Sequence, residues 1–298
     1  MGGMLEVYFA TALLMAPLLV CVGIGLYWGK KDYPFAGPFV TVLVTSVTTP
    51  ALVFHTLITT ELDNRLLTEL VGATVFALAV CALLCAGVLR LLGLPVRSLL
   101  QTAWMPNAGN LGLPLSQLAF GDVGLSAAVV FFAISSFLQH TVGVRLLTGG
   151  SGSQAWRTPV LLAAVAAVTL RLGEVPVPHW VLKSADMLGS VTVPMMLLSL
   201  GHALALIPSH GLRTGAILAA IRLPLGLIAG YGTALALGLS HQLAGVLTLQ
   251  MAMPCAVVSY MYARRYTDMG EVSAGAVLVS TVVFLSIAPV LLGWVRTI

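Results

Sequence analysis

Two prolines, two glycines and two asparagines crowd the segment Trp104-Met105-Pro106-Asn107-Ala108-Gly109-Asn110-Leu111-Gly112-Leu113-Pro114, inside an apolar run. Each proline removes a backbone donor and clashes with the preceding turn, and each glycine lowers helix propensity by roughly 1 kcal/mol. A regular helix is not expected there. Irregular backbone at membrane depth is tolerated only inside protein or along a wet cavity, and buried amides need partners that a substrate or ion can supply. Pro114 suits the first turn of a helix restarting at Leu115, whose unpaired N–H groups would attract negative charge. A milder break, Ala252-Met253-Pro254-Cys255-Ala256, precedes Ser259 and Tyr260. No Lys or Arg is expected deep in the membrane, so helix N-termini and amides would hold an anion, and a carboxylate is the chemistry indicated. The expected substrate-binding set is Pro106, Asn107, Gly109, Asn110, Pro114, Pro254, Cys255 and Ser259; no catalytic residue is assigned.

Thr49, Gln117, Gln250 and Asp186 are candidates for an ion or coupling role. His55, Gln139, His140 and His202 also fall in apolar runs, where hydrogen bonding between helices is the alternative to ligand binding. Asp186 lies eight residues before Pro194, about 12 Å along a helix, which puts it toward the outer interface near Lys183. Asp122 and Asp268 read as helix caps. Arg222, just before Leu223-Pro224, reads as the cytoplasmic start of an apolar run, the alternative being an intramembrane substrate-binding arginine.

These residues need a membrane scaffold. The 298 residues have mean hydropathy +1.02, 59% hydrophobic and only 8% charged side chains. A soluble domain carries roughly a quarter of its residues charged, so the chain reads as an all-α polytopic membrane protein. Apolar runs near 5–28, 36–59, 67–93, 98–120, 122–147, 158–174, 179–207, 214–239, 242–264 and 271–295 predict ten spans. The first lacks a basic flank and is expected to be retained as a span. The net charge of +4 reflects short basic loops rather than nucleic-acid binding. Cys21, Cys81, Cys85 and Cys255 lie within apolar runs without metal or disulfide spacing. No cofactor or metal is expected.

With the N-terminus outside, Lys30, Lys31, Arg90, Arg97, Arg145, Arg157, Arg213, Arg222, Arg264 and Arg265 fall in cytoplasmic positions, leaving Arg65, Arg171, Lys183 and Arg296 outside. That bias predicts a multi-pass protein of the cell (inner) membrane with both termini external.

Three motifs recur in order. Ser46-Val-Thr-Thr-Pro50 returns as Ser190-Val-Thr-Val-Pro194, Met105-Pro106 as Met253-Pro254, and Phe120-Gly-Asp-Val-Gly124 as Tyr266-Thr-Asp-Met-Gly270, at offsets of 144, 148 and 146. Five spans per half is an odd number, so the halves would be inverted: 1–147, a cytoplasmic linker at 148–157 rich in Gly and Ser, and 158–298. The proline-broken spans, fourth and ninth, are expected to cross.

Asn107-Ala-Gly-Asn-Leu-Gly-Leu-Pro114, Phe120-Gly-Asp-Val-Gly-Leu125, Val193-Pro194 with Ser199-Leu200-Gly201, Met253-Pro254, Ser280-Thr281 and Ala288-Pro289 together resemble the auxin efflux carrier family. That family is part of the bile/arsenite/riboflavin transporter superfamily, which includes the bile acid:sodium symporters. The resemblance covers almost the whole chain. It implies ten spans in two inverted repeats, a scaffold and a transport domain, and crossing helices at the substrate site, with Pro106, Asn107, Asn110 and Pro254 at the crossover. The short loops resemble compact bacterial members. Cys255 stands where the plant pattern has Asn, so a plant-like substrate is not implied.

A secondary carrier of a small organic anion, such as malonate or malate, is therefore the leading reading, with Na⁺ or H⁺ as candidate coupling ion and a homodimer as an admissible assembly. A sodium-coupled organic-anion symporter and a non-transporting ligand sensor are the alternatives. No H-E-x-x-H, paired intramembrane aspartates, nucleophile elbow or P-loop occurs, so neither an intramembrane enzyme nor ATP drive is indicated.

Overall fold

The computed structural model describes residues 2–60, 63–149, 158–206 and 211–298. Most of the expected linker at 148–157, with Arg157, lies outside the described residues, as does Glu61-Leu62 between the second and third apolar runs. Among the described residues the regular elements are all helical. They are α1 (Gly2–Lys30), α2 (Gly37–Leu43), α3 (Thr49–Thr59), α4 (Asn64–Leu91), α5 (Val96–Trp104), α6 (Leu113–Leu138) and α7 (Val144–Thr148). The second half contributes α8 (Pro159–Leu172), α9 (His179–Ser190), α10 (Thr192–Leu206), α11 (Leu212–Leu237), α12 (His241–Ala252), α13 (Val257–Tyr266) and α14 (Gly270–Val295).

Among the described residues six helical stretches are long and apolar enough to cross a membrane: Gly37–Thr59, Arg65–Leu91, Ala108–Thr148, His179–Leu206, Leu212–Leu237 and Gly270–Val295. Apolar side chains cover much of the exterior, Leu83 being 74% and Trp180 72% exposed, as suits a multi-pass membrane protein whose solvent is hydrocarbon.

Prolines shape the helices in a consistent way. Just before Pro50 the chain makes a π-helical turn, Val44–Thr48, in which the Thr49 N–H bonds the Val44 carbonyl five residues back. A second π turn, Ala108–Gly112, precedes Pro114, with the Leu113 N–H on the Ala108 carbonyl. The wider turn relieves the clash between a proline ring and the preceding carbonyls. The runs expected at 98–120 and 122–147 are separated by a kink at Gly121 (φ 65°, ψ −150°), a non-helical conformation essentially confined to glycine, so α6 is two helices joined at that residue.

The helices pack as two groups. In the first, α1 lies along α10, and α3 packs on α8 and α9. In the second, α11 is central, flanked by α4, α12 and α14, with α5, α6 and α13 completing the group. The core of this second group includes Trp104, Met105, Phe131, Leu247 and Met251. Contacts of α1 with α14, α3 with α6 and α10 with Ala108–Gly112 join the groups. In the first group the α1 and α10 backbones nearly touch. A Cβ on Gly201 would lie 2.0 Å from the Val22 carbonyl oxygen, and one on Gly25 2.1 Å from that of Leu198.

Arginines close several helix ends. Arg171 donates to the Leu57 and Thr60 carbonyls at the end of α3, Arg296 to Leu118 and Ala119 before the Gly121 bend, and Arg97 to Leu146 in α7. Carbonyls in the last turn of a helix lack intrahelical partners, and a cation there also complements the helix dipole. The capping expected from Asp268 is absent: α14 has no side-chain cap bond, and the Met269 N–H bonds Thr267 Oγ1 instead.

Candidate functional site

The broken segments meet. α5 ends at Trp104 and α12 at Ala252, and between them Pro106 and Cys255 form an isolated antiparallel bridge. The Asn107 N–H donates to the Pro254 carbonyl at 2.8 Å, and the Ala256 N–H to the Met105 carbonyl at 3.1 Å. Each extended segment thus satisfies the other's backbone, the condition for irregular chain away from water. Residues 105–107 and 253–256 are buried throughout.

The first break is shorter than the sequence suggests. The Asn107 carbonyl accepts from the Leu111 and Gly112 N–H groups at 3.4 and 3.1 Å, so the helix resumes at Ala108 rather than at Leu115. Gly109 and Asn110 therefore sit in a π turn. A Cβ on Gly109 would come within 2.8 Å of the Phe132 ring and 3.5 Å of Met196. Asn110 is partly exposed, and Pro114 is buried in the first turn of α6.

Several of the candidate residues carry buried polar atoms without partners. Asn107 is 5% exposed, and its Nδ2 donates to nothing. Gln250 lies against Gly112, where a Cβ would be 2.2 Å from its Oε1; its Nε2 donates to Ser116 Oγ at 3.0 Å while Oε1 accepts nothing. Thr49 Oγ1 and Thr48 Oγ1 are likewise buried and unpartnered. Ser259, by contrast, is absorbed by the protein: its Oγ accepts from Gln139 Nε2 at 3.3 Å and donates to the Gln101 carbonyl at 3.4 Å. Cys255 is fully buried, and its N–H donates to Ser280 Oγ. The Ser259 hydroxyl thus has protein partners on both sides, whereas the bond of Cys255 is made by its backbone.

A cavity of about 880 Å³ lies between the two helix groups, lined from α3 by His55, Thr56 and Thr59, from α6 by Gln117, Asp122 and Ser126, and from α9 and α10 by Asp186, Ser190, Val193 and Pro194. Asp186 pairs with Lys183 at 2.9 Å. The sequence candidates thus divide between two places: Gln117 and Asp186 face the cavity, whereas Pro106, Asn107, Pro254 and Cys255 form the buried crossing. Met196, two residues beyond the cavity residue Pro194, packs near Gly109 and so joins the two regions. Among the described residues no group of His, Cys, Asp or Glu could hold a metal ion.

The expectation that no basic residue lies deep in the protein is overturned. Arg222 does not begin a run; it falls inside α11, at 0% exposure, with Pro224 in the same helix. The misreading comes from the proline, which suggests a helix start, whereas in a packed membrane helix an interior proline is tolerated. Gly226, one turn on from Arg222, was the available signal, because a small residue four positions away leaves room for a folded-back guanidinium.

The sequence matches the family described as membrane transport protein over residues 11–157 and 151–292. It is 27% identical over 215 residues to an uncharacterized transporter of Methanocaldococcus jannaschii, covering 66% of this chain and 67% of that one. Helical breaks that satisfy each other, a cavity between two helix groups and this match along nearly the whole chain agree, and the chain belongs to the auxin efflux carrier family of membrane transport proteins.

Proposed function

We propose that the protein is a secondary carrier that moves a small organic anion, a mono- or dicarboxylate such as malonate or malate, by alternating access around the crossed segments. The observation that carries this reading is the unpartnered Asn107 Nδ2, a buried donor held where two helix N-termini, at Ala108 and Val257, converge. Donors and dipole ends of this kind are complementary to a carboxylate. The two helix groups, meeting at a cavity, supply bodies that can move relative to one another.

The same reading takes the chain as ten spans in two inverted five-helix repeats, 1–147 and 158–298, in the cell membrane with both termini external. Single cysteines added at either end of a cysteine-free variant should react with an impermeant maleimide on intact cells; labelling only after permeabilisation would reverse the topology. Sodium coupling is the second reading, favoured by the unpartnered oxygens of Gln250 and of Thr48 and Thr49, which suit a hard cation.

Uptake of labelled malonate and malate into proteoliposomes, with Na⁺ and proton gradients imposed separately, tests both. Uptake driven by one gradient is the expected result and names the coupling ion. Binding without uptake would point to a ligand sensor, and neither binding nor uptake by folded protein would remove the proposed cargo.

A further inference from the structure

Arg222 is the largest fully buried side chain among the described residues. Its Nη2 donates to the Met251 carbonyl at 2.6 Å and its Nη1 to Cys81 Sγ at 3.3 Å, while Nε has no partner. A guanidinium stays protonated in proteins. The ion pairs among the described residues, Arg65 with Glu69 and Lys183 with Asp186, lie elsewhere. A full positive charge is therefore buried beside a carbonyl and a sulfur, with no carboxylate to balance it. Such a charge is costly at membrane depth and marks function by default.

Its position relates it to the crossing. Met251 lies in the last turn of α12, and three residues on the chain supplies the Pro254 carbonyl to Asn107. Gly226 makes the approach possible: a Cβ there would lie 2.2 Å from the Met251 oxygen and 2.8 Å from Arg222 Nη1. The negative end of α12 offsets part of the charge, and the remainder acts on the crossing. Because α11, α12 and α4 belong to the same helix group as both broken segments, the charge and the crossing form one unit.

We propose that Arg222 is the fixed countercharge of the carrier, selecting an anionic cargo through its field at the crossing and neutralising the loaded helix group when one carboxylate is bound. The inference rests on the organic-anion reading. Being fully buried, Arg222 does not touch the cargo in this conformation; it is a positioning residue that acts through charge. An empty group carries its positive charge, and a group loaded with a monoanion, or with a dicarboxylate holding one proton, carries none.

The test compares wild type, Arg222→Lys and Arg222→Met in proteoliposomes, using labelled malonate as substrate and uncharged malonamide as competitor, with thermal unfolding as the measure of folding. Arg222→Lys should keep the preference for malonate over malonamide. Arg222→Met should raise the malonate KM and shrink that preference roughly tenfold, the scale of one charge acting through partly screened interior. A role confined to holding Met251 would alter stability without moving the ratio. A folded Met variant with an unchanged ratio overturns the assignment. If the Met variant does not fold, the Lys variant decides: a retained ratio supports the countercharge, and a lost ratio overturns it. If neither folds, Arg222 is a structural clamp and the assignment fails. Absence of uptake by folded wild type overturns the organic-anion reading and this inference together, whereas uptake with an unaltered ratio overturns this inference alone.

Discussion

Asn107→Ala is expected to cut uptake roughly ten- to a hundredfold in kcat/KM while leaving the protein at least as stable as wild type. The side chain is 5% exposed, yet its Nδ2 has no partner. A buried amide with an unmade hydrogen bond costs stability, so replacing it with a methyl group removes a penalty. The hydrogen bonds that hold the chain there are made by the backbone, from the Asn107 N–H to Pro254 and from Leu111 and Gly112 to the Asn107 carbonyl, and alanine keeps them all. On the proposed reading what is lost is a donor to the cargo, and a hydrogen bond to a charged group is worth about 1.5–3 kcal/mol, which sets the expected range. Initial uptake rates measured beside thermal unfolding check it. A fall of several degrees in Tm with little change in transport would make the amide a structural element.

The second large effect is on folding. Gly201→Ala places a methyl group 2.0 Å from the Val22 carbonyl oxygen. The obstacle is backbone, so no side-chain rotation relieves it, and α1 and α10 must separate along their shared face. Overpacking of this kind costs about 1–3 kcal/mol or more, and membrane helices depend on close approach for their association. Gly25→Ala meets the Leu198 oxygen at 2.1 Å and should act in the same direction. Gly72→Ala in α4 is the control: nothing lies within 4 Å of its Cβ, and alanine is the better helix former. Thermal unfolding in detergent should show Gly201→Ala well below wild type and Gly72→Ala level with it or above. Equal midpoints for all three would mean that α1 and α10 are free to move apart.

The membrane character and the two breaks were legible because they rest on local chemistry. Hydropathy is a property of each run, and Pro106 and Pro254 interrupt a helix whatever surrounds them. The extent of the first break was not legible: Gly109 and Gly112 look like further breaks in sequence, but the Asn107 carbonyl recruits the Leu111 and Gly112 N–H groups into a π turn. Ser259 looked available because a hydroxyl beside a broken helix is a plausible ligand, and only tertiary packing brings Gln101 and Gln139 to it. Gln117 and Asp186 were singled out for polarity alone, and their common cavity depends on how α6 and α9 are brought together. Arg222 shows the limit of assigning basic residues to loops. Its partners, Met251 and Cys81, are 29 and 141 residues away in sequence, beyond any local pattern.

The crossing is joined by peptide groups alone, through the bonds from Asn107 to Pro254 and from Ala256 to Met105. A joint of this kind rests on the N–H groups of residues 107 and 256 and on the two prolines that keep both segments out of a helix. The side chains at 107 and 110 can therefore vary without dismantling the crossing. On the proposed reading, a designer seeking a new cargo should randomise these side chains and leave the two amides and the two prolines alone.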